Sequence, residues 1–387
     1  MTPQQRKIPV IVKDLLAWYL KNARDLPWRR TRDPYAIWVS EIMLQQTQVR
    51  TVIPFWERWL RELPTIKAAA KAPSAKIHKL WEGLGYYTRV RNLQKAAQLI
   101  VERHDGVFPR TFAEVLELPG IGRYTAGAIC SIAFNQPTPL LDGNVIRVLC
   151  RIFGIAENPK EKPTNARLWQ LAEDLVTHAG AQGSPKGKSS GKSSSTAASA
   201  PSHNHNSHDS CSHLNQSLME LGALICTPRN PQCSLCPVKT ICVACKEDRT
   251  AELPNLGDRQ AATARQFTAF VVEHGGKFLV RQRPTGVVNS HLWEFPNLET
   301  TGQKTDATAL AKDLFGLAPA RLEPLGTVKH SITRYRITLN AFLISFNAIP
   351  AKSDGVWKSP ARMRQLAFTA AHKKLATSAA NRILSDR

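Results

Sequence analysis

The stretch from Thr111 to Phe153 decides how this chain folds. It begins Thr111-Phe-Ala-Glu114, the pattern of a capping box, in which a Thr side chain and a Glu three residues later close the start of a helix. Leu118-Pro-Gly-Ile-Gly122 then predicts a sharp turn, and Arg123-Tyr-Thr-Ala-Gly-Ala-Ile129 predicts a second helix. A helix, a glycine turn and a helix leave free backbone N–H groups at a helix N-terminus, where a phosphate group can bind.

A single carboxylate follows this glycine turn. Leu141-Asp-Gly-Asn-Val-Ile-Arg147 predicts the start of a third helix, and Asp142 lies 20 residues beyond Gly122. Asp is a common helix N-cap, so one interpretation of Asp142 is purely structural. The other is that its carboxylate acts on whatever molecule the glycine turn binds, and the other motifs of the chain favour this second interpretation.

Length and charge bound the class of protein. The 387 residues are enough for two domains, because domains usually hold about 100–200 residues. The chain carries 52 Lys and Arg against 30 Asp and Glu, a net charge of +22, and the excess is present on both sides of Ala264. We therefore expect a polyanionic partner to contact both parts, although a basic and merely soluble protein has the same composition.

The sequence has no apolar run long enough to span a bilayer, and its N-terminus lacks the apolar core of a signal peptide. We therefore expect a cytoplasmic protein without membrane contact. Most of the eight cysteines fall late in the chain, which in a cytoplasmic protein predicts metal binding rather than disulfides.

The segment from Tyr35 to Thr47 predicts a helix that is apolar on nearly all sides and therefore buried. Asp33 and Pro34 in front of it form a strong helix start. Glu41 is the only carboxylate of this helix. A buried carboxyl group either pairs with a cation or has a raised pKa, and a raised pKa suits a general acid. We interpret Glu41 as functional, because an isolated buried Glu is costly.

The late cysteines have the spacing Cys226-x6-Cys233-x2-Cys236-x5-Cys242, and Cys245 follows three residues later. Four thiolates this close in sequence predict either a zinc ion or an iron–sulfur cluster. Two-knuckle zinc sites usually have two C-x2-C pairs about 12–20 residues apart, and this compact loop does not.

Three other segments have distinct compositions. Gly83-Leu-Gly-Tyr-Tyr87 predicts a loop whose tyrosines either insert into a nucleic-acid stack or are buried. Residues 181–213, rich in Gly, Ser, Lys and His, predict a disordered tether. Beyond residue 265 the pattern predicts a small α+β domain. Its predicted strands are Phe267–Glu273, Lys277–Arg281, Gly326–Val328 and Arg334–Ser345, and its helices lie near 306–315 and 366–380.

Together these motifs resemble those of the adenine DNA glycosylases of the MutY type, in the helix-hairpin-helix superfamily that also contains endonuclease III. The resemblance extends over nearly the whole chain except residues 181–213. The motifs that carry it are Leu26-Pro-Trp-Arg29, Trp38-Val-Ser-Glu-Ile-Met-Leu-Gln-Gln-Thr47, Gly83-Leu-Gly-Tyr-Tyr87, Leu118-Pro-Gly-Ile-Gly-Arg-Tyr-Thr-Ala126, Leu141-Asp-Gly-Asn144 and the cysteine spacing.

The resemblance implies a multidomain protein: an all-α helix-hairpin-helix glycosylase region with an iron–sulfur loop, followed by an α+β Nudix-like domain. It implies a catalytic region at residues 1–247, with 181–213 as an insertion, a linker at 248–265 and the Nudix-like domain at 266–387. The implied cofactor is a [4Fe–4S] cluster, for which the family spacing is complete without Cys245. Its ligands are Cys226, Cys233, Cys236 and Cys242.

The activity implied by the resemblance is removal of adenine mispaired with 8-oxoguanine or guanine in double-stranded DNA, by a monomer. The adenine is flipped out of the duplex before its glycosidic bond is cut. Glu41 is the implied general acid, and Asp142 stabilises or captures the cationic sugar, a division between two carboxylates that glycosidases use. Tyr124 and Asn144 orient these two carboxylates.

The resemblance also assigns three binding regions. The adenine pocket comprises Arg24, Leu26, Trp28, Arg29, Leu44, Val49 and Gln216. The DNA-binding residues are Gln46, Thr47, Gly85, Tyr86, Leu118, Gly120, Gly122 and Arg229, with Gln46 and Tyr86 around the distorted pair. The loop that reads 8-oxoguanine aligns with Ile332, Thr333 and Arg334, of which Thr333 keeps the family's hydroxyl group while its neighbours depart from the family's Phe and His.

Two positions separate this chain from related activities. Endonuclease III-type lyases carry a nucleophilic lysine at the position of Tyr124, so we expect a glycosylase without strong strand-nicking activity. Nudix hydrolases bind magnesium through a run of glutamates, whereas Ala309-Leu-Ala-Lys-Asp-Leu314 has one carboxylate, so we expect no pyrophosphate hydrolysis. Two alternatives are a damage-binding protein without activity, disfavoured by Glu41 with Asp142, and a nucleotide-pool hydrolase, disfavoured by the missing glutamates.

Overall fold

The computed structural model describes residues 3–183, 209–258, 261–302, 306–332, 334–350, 352 and 354–385. The described residues form two compact units. The helical unit comprises the chain up to Ala70 together with Leu93–Asp258, and the mixed unit comprises Lys71–Asn92 together with the chain from Arg259 onward. In this division residues 71–92 group with the C-terminal part of the chain.

Helices make up the chain as far as the cysteine loop. In chain order they are α1 (Pro3–Asn22), α2 (Pro34–Leu44), α3 (Val49–Glu62), α4 (Ile66–Lys71), α5 (Ser74–Trp81), α6 (Thr88–His104), α7 (Phe112–Leu116), α8 (Arg123–Phe134), α9 (Gly143–Phe153), α10 (Lys162–Gly183), α11 (Ser210–Leu224) and α12 (Val243–Lys246). A short 3-10 helix at Pro27–Arg29 precedes α2.

The helix starts follow the predicted capping residues. The Asp33 side chain accepts a hydrogen bond from the Tyr35 N–H at the start of α2, with Pro34 in the first turn. At α7, Thr111 and Glu114 form both hydrogen bonds of the capping box. Asp142 caps α9 through the Val145 N–H. The helix–turn–helix arrangement of α7 and α8 is therefore confirmed.

The core of the helical unit lies where α11 packs against α1, α8, α9 and α10. Fully buried aliphatic side chains fill it, among them Leu15, Leu149, Leu175 and Leu218. Burying such a side chain contributes about 1.5–3 kcal/mol to stability, so this core fixes the helices that carry polar side chains at their ends.

The predicted tether at residues 181–213 is too wide at both ends. Helix α10 continues to Gly183, and α11 begins at Ser210, so that His213 is helical. Cys211 and Leu214 in this first turn of α11 are buried in the core, and their packing explains why the helix starts earlier than composition suggests. Residues 184–208 of the predicted tether lie outside the described residues.

A mixed sheet organises the chain from Arg259 onward. Its strands are β1 (Thr263–His274), β2 (Lys277–Gln282), β3 (Trp293–Glu294), β4 (Asn297–Glu299), β5 (Arg321–Ile332), β6 (Tyr335–Ser345) and β7 (Val356–Lys358), and its helices are α13 (Ala307–Phe315), α14 (Pro360–Met363) and α15 (Ala370–Ser385). The strand order is β3-β2-β1-β6-β5, with β1 and β6 parallel and β5 and β6 antiparallel. Buried clusters lie on both faces of the sheet, which confirms the predicted α+β class.

Strand β5 is much longer than the predicted Gly326–Val328. It lies at the end of the strand order and has no fully buried residue, so its polar side chains hide the alternation that marks a half-buried strand. In the part of the chain that the structure describes, no helix is long and apolar enough to cross a membrane.

Candidate active site

A cavity of about 550 Å³ opens in the helical unit beside α2, α8, α9 and α11. Thirteen of the residues predicted for catalysis, adenine binding or DNA binding line it. They are Arg24, Leu26, Trp28, Arg29, Glu41, Leu44, Gln46, Thr47, Val49, Tyr124, Asp142, Asn144 and Gln216. Its size suits a small organic molecule or a nucleobase.

Glu41 lies in the middle of α2, on the wall of the cavity. Glu41 is 5% exposed, and the flanking side chains of Ile37 and Ile42 are buried as well. Burial raises the pKa of Glu41 to about 7, although a hydrogen bond from Tyr124 opposes the rise and the charge of Asp142 adds to it. The group is therefore able to hold and release a proton near neutral pH.

Tyr124, in the first turn of α8, is the hydrogen-bond partner of Glu41. Its hydroxyl donates to Glu41 Oε2 at 2.9 Å and lies 3.4 Å from Met219 Sδ. Burial, together with the nearby carboxylates, raises the pKa of Tyr124 well above its usual value. The phenol therefore stays neutral and acts as a donor.

Asp142 is held at both carboxylate oxygens. Oδ1 accepts from the Val145 N–H at 2.7 Å, and Oδ2 accepts from Asn144 Nδ2 at 2.9 Å. The residue thus caps α9 and also lines the cavity. The two interpretations of Asp142, as helix cap and as site residue, are compatible because each oxygen has its own partner.

A chain of hydrogen bonds leads from Asp142 toward the cysteine loop. Arg147, one turn further along α9, donates to Asn144 Oδ1 at 2.9 Å, to the Gly222 carbonyl at 2.7 Å and to the Cys226 carbonyl at 2.7 Å. Helices α9 and α11 approach closely here, since a Cβ at Gly222 would lie 2.6 Å from Asn144 Cβ. The orientation of Asn144 therefore depends on the start of the cysteine loop.

Glu220 on α11 is a site residue that the sequence analysis missed. Its side chain is 1% exposed and accepts from Arg24 Nε at 2.8 Å and from both terminal nitrogens of Arg29, at 2.9 and 3.1 Å. Although burial by itself raises its pKa, hydrogen bonds from these arginines lower the pKa of Glu220 to about 2. The available signal was its position one helical turn beyond Gln216, as a lone carboxylate in an apolar helix.

Gln216 is held from the side away from the cavity. Tyr19 donates its hydroxyl to Gln216 Oε1 at 3.1 Å, and Gln216 Nε2 donates to Ser212 Oγ at 3.0 Å. This arrangement fixes the amide orientation and leaves the second Nε2 proton available as a donor.

The remaining DNA-binding candidates do not line the cavity. Leu118 is buried beneath the turn between α7 and α8, where Gly120 has φ +79° and Gly122 is the N-cap of α8, with open space where a Cβ would lie. Tyr86 and Gly85 belong to the mixed unit, in the loop between α5 and α6.

The three candidates for reading 8-oxoguanine, and the DNA-binding candidate Arg229, also lie away from the cavity. Ile332 ends β5, and Arg334, which is exposed, donates to the Tyr335 hydroxyl at 3.2 Å. Thr333 lies outside the described residues. Arg229 is exposed in the cysteine loop.

The four predicted cysteine ligands line one small cavity beside α9, together with Cys245. Arg151 borders this cavity, with a guanidinium nitrogen 3.4 Å from Cys226 Sγ and 2.8 Å from the Thr227 carbonyl. Among the described residues, no three side chains converge as ligands of a single metal ion. Four thiols around one space, beside a fixed cation, are a donor set that fits a [4Fe–4S] cluster.

Family models match three parts of the chain. Residues 39–174 match the HhH-GPD superfamily of base excision DNA repair proteins, residues 226–242 match the iron–sulfur binding domain of endonuclease III, and residues 268–378 match the NUDIX domain. The solved structure of a thermostable thymine-DNA glycosylase is similar in fold, with a TM-score of 0.51 and 29% identity, over 64% of this chain and 100% of that chain.

Relatives that match over about three quarters of their own length decide the family. The adenine DNA glycosylase of Rattus norvegicus is 34% identical over 94% of this chain and 76% of its own length, and that of Buchnera aphidicola (Schizaphis graminum) is 36% identical over 74% of each chain. The chain belongs to the adenine DNA glycosylase family. It is an adenine-specific DNA glycosylase, an enzyme of base excision repair that hydrolyses N-glycosyl bonds in DNA.

The family assignment also selects between the two metals that the cysteine spacing left open. The iron–sulfur model covers Cys226 to Cys242, so the cofactor of this glycosylase is a [4Fe–4S] cluster. The same model ends before Cys245, which lines the same small cavity as the four ligands.

Proposed function

We propose that this glycosylase removes adenine paired with 8-oxoguanine, and more slowly adenine paired with guanine, after flipping the adenine into the 550 Å³ cavity. The observation that carries the proposal is Glu41, a buried carboxyl group with a pKa of about 7 that shares the cavity with Asp142. Glycoside hydrolysis uses two carboxyl groups, of which one holds a proton and gives it to the leaving group.

In the proposed reaction Glu41 is the general acid. Its proton moves to a ring nitrogen of the flipped adenine, and the electron pair of the bond between C1′ and the base leaves with the adenine. Tyr124 donates to Oε2 of Glu41, so it holds the carboxyl group in one orientation without taking its proton. Water then adds to C1′ and loses a proton to the Glu41 carboxylate, which restores the starting state.

Asp142 stabilises or captures the cationic sugar that forms when adenine leaves. Its charge is fixed by the Val145 N–H on one oxygen and by Asn144 on the other, so no reorganisation is needed as positive charge develops. A hydroxyl group in Tyr124 replaces the lysine amine of the related lyases, which supports a monofunctional glycosylase.

The adenine pocket is proposed to consist of apolar surface with a few fixed polar groups. Leu26, Trp28, Leu44 and Val49 supply the surface, and the guanidinium groups of Arg24 and Arg29 are held in place by Glu220. Pockets of this composition give orientation through few polar contacts.

The DNA duplex is proposed to bind through phosphate contacts and a wedge. The N-terminus of α8, reached through the turn at Gly120 and Gly122, suits a phosphate because the first N–H groups of a helix have no partner within the helix, and Arg229 adds an exposed charge. Gln46, Thr47, Gly85 and Tyr86 are assigned to the space around the mispair. When bound, the [4Fe–4S] cluster cross-links the loop from Cys226 to Cys242 that carries Arg229.

We assign recognition of 8-oxoguanine to the C-terminal α+β domain, at Ile332, Thr333 and Arg334. A Thr hydroxyl both donates and accepts, which suits a base whose oxidation adds an N–H donor and a carbonyl. We further propose that the enzyme acts as a monomer in the cytoplasm, a reducing compartment in which the cysteines outside the cluster stay as thiols.

The test compares adenine release from 8-oxoguanine:adenine and guanine:adenine duplexes, with nucleoside triphosphate hydrolysis and alkali-independent strand nicking measured beside it. We expect faster release from the first duplex, no hydrolysis of the nucleotide and no nicking. Ile332→Ala with Thr333→Ala is expected to reduce the ratio of the two rates, because the variant loses an apolar contact and one hydrogen bond to a neutral group, and the hydrogen bond is worth about 0.5–1.5 kcal/mol. An unchanged ratio would remove the lesion-reading role from this loop.

A further inference from the structure

A buried carboxylate outside the active site joins two parts of the mixed unit. Glu82 follows α5, is 8% exposed and has no role in the reaction described above. Its Oε1 accepts from the Phe368 N–H at 3.0 Å, and its Oε2 accepts from Lys79 Nζ and Lys373 Nζ, each at 2.8 Å. Phe368 and Lys373 belong to the C-terminal domain, so the carboxylate attaches residues 71–92 to that domain.

Two further hydrogen bonds support the same attachment. Lys79 donates to the Leu366 carbonyl at 3.0 Å, and Arg91 donates to the Ser290 carbonyl at 3.2 Å. Lys79 lies before the Gly83–Tyr87 loop and Arg91 lies after it. The loop is therefore anchored to the C-terminal domain on both sides.

The anchored loop is itself stiff. The Gly83 N–H donates to the Tyr87 hydroxyl at 3.2 Å, and Trp81 Nε1 donates to the Gly85 carbonyl at 3.1 Å. Arg89 donates to the Gly85 carbonyl as well, and its guanidinium carbon lies 5.6 Å from the centre of the Tyr86 ring.

Tyr86 is the side chain that this loop presents. It has φ +47° and is 42% exposed, whereas the neighbouring Tyr87 is 5% exposed. An exposed aromatic ring on a stiff loop is the form of side chain that wedges between base pairs. Any displacement of the C-terminal domain relative to DNA is thus transmitted to this ring.

We propose that Glu82 is a positioning residue that fastens the Tyr86 wedge to the C-terminal domain, so that docking of that domain on 8-oxoguanine drives Tyr86 into the base stack. The inference rests on the proposed role of the C-terminal domain in reading the oxidised base. In this proposal a single movement of the C-terminal domain couples recognition of the lesion to extrusion of the adenine. A guanine:adenine pair lacks the oxidised base that the C-terminal domain is proposed to bind. On such a pair the contacts of Glu82 therefore do not speed the release of adenine.

The test uses the holoenzyme and four variants. Glu82→Gln and Lys373→Met weaken the fastening, and Lys373→Arg retains its cation. Lys312→Met removes an exposed charge from α13 as a matched control. Lys373 is 53% exposed, so its variants are expected to fold even where the Glu82 variant is less stable. Single-turnover adenine release is measured at saturating enzyme on both duplexes, with 2-aminopurine next to the mispair to report unstacking.

We expect Glu82→Gln to slow release from 8-oxoguanine:adenine about tenfold, within the 5–150-fold range of coupling between sites, and to suppress the fluorescence rise. Lys373→Met should have a smaller effect in the same direction. In both variants the rate of release from guanine:adenine should stay within about twofold of wild type. Lys373→Arg and Lys312→Met should behave as wild type. A merely structural role for Glu82 predicts instead that both rates fall together with Tm, and that result, or an unchanged fluorescence rise, overturns the proposal.

Different results refute the proposed lesion specificity and the proposed role of Glu82. A wild-type enzyme that releases adenine equally from both duplexes refutes the proposed lesion specificity. The fastening is then decided by fluorescence alone: a rise that persists in Glu82→Gln and Lys373→Met overturns it, and a rise lost from both, but kept in Lys373→Arg, supports it.

Discussion

Replacing Glu41 by Gln removes one proton and almost nothing else. The amide has the same shape, and its oxygen can still accept from Tyr124, so the cavity wall is preserved. A carboxyl group with the usual pKa of 4.5 is about 0.3% protonated at pH 7, whereas one with a pKa of about 7 is about half protonated. Burial in α2 therefore increases the available acid by about two orders of magnitude.

General acid catalysis contributes about 10²–10⁴-fold, and the loss is larger if the same group later activates water. We therefore expect Glu41→Gln to release adenine at least about a thousandfold more slowly while binding the mispair nearly as well. The assay is single-turnover release with enzyme in excess, from pH 5.5 to 9. The wild-type rate should fall as pH rises through about 7, because the acid form is lost there.

The stability of Glu41→Gln provides an independent check. The folded pKa of Glu41 is raised above its unfolded value of 4.5, so its burial costs nothing below pH 4.5 and destabilises the wild type as pH rises through about 7. At pH 9 the Gln variant should be more stable by on the order of 3 kcal/mol in urea unfolding. A folded variant that releases adenine within tenfold of wild type, or wild-type stability without this pH dependence, refutes the assignment.

Three other changes test the rest of the site. Asp142→Asn should be comparably inactive yet as stable as wild type, because Asn caps α9 about as well as Asp but carries no charge; an active variant would leave Asp142 as a cap alone. Glu220→Gln should lower stability by about 3–5 kcal/mol, because it leaves the guanidinium groups of Arg24 and Arg29 without their carboxylate. It should also shift the falling limb of the pH profile to lower pH, since Arg29 then lowers the pKa of Glu41 more strongly; an unshifted limb contradicts this. Cys245→Ser should keep its iron content and visible absorbance, and loss of the cluster would make Cys245 a ligand.

Residues with a strong local signal were predictable from the sequence. Glu41 is a carboxylate in an otherwise apolar helix, and Asp142 is a helix cap that also lines the cavity, at a position proposed for catalysis. The capping box at Thr111 and the compact cysteine spacing are likewise patterns within about 20 residues, so single-sequence reasoning reaches them. The resemblance to a known family supplied the pocket residues that no local pattern distinguishes.

Residues whose roles depend on distant partners were not predictable. In the sequence Glu220 is only a lone carboxylate in an apolar helix, and its role depends on Arg24 and Arg29, which lie 196 and 191 residues away. Glu82 acquires its partners in the same way, from Phe368 and Lys373. Periodicity and capping carry no information about which side chains meet across such distances.

Two glutamates in one cavity illustrate how partners decide the chemistry of a carboxyl group. Both are buried, and burial alone raises the pKa of each. Glu220 meets two guanidinium groups and has a pKa of about 2, whereas Glu41 meets a neutral phenol and has a pKa of about 7. The two shifts are linked, because Arg29 also lowers the pKa of Glu41. By binding Arg24 and Arg29, Glu220 offsets the positive charge that would otherwise lower the pKa of Glu41 further. The arginines can therefore line the pocket while Glu41, the proposed acid, keeps its proton near neutral pH.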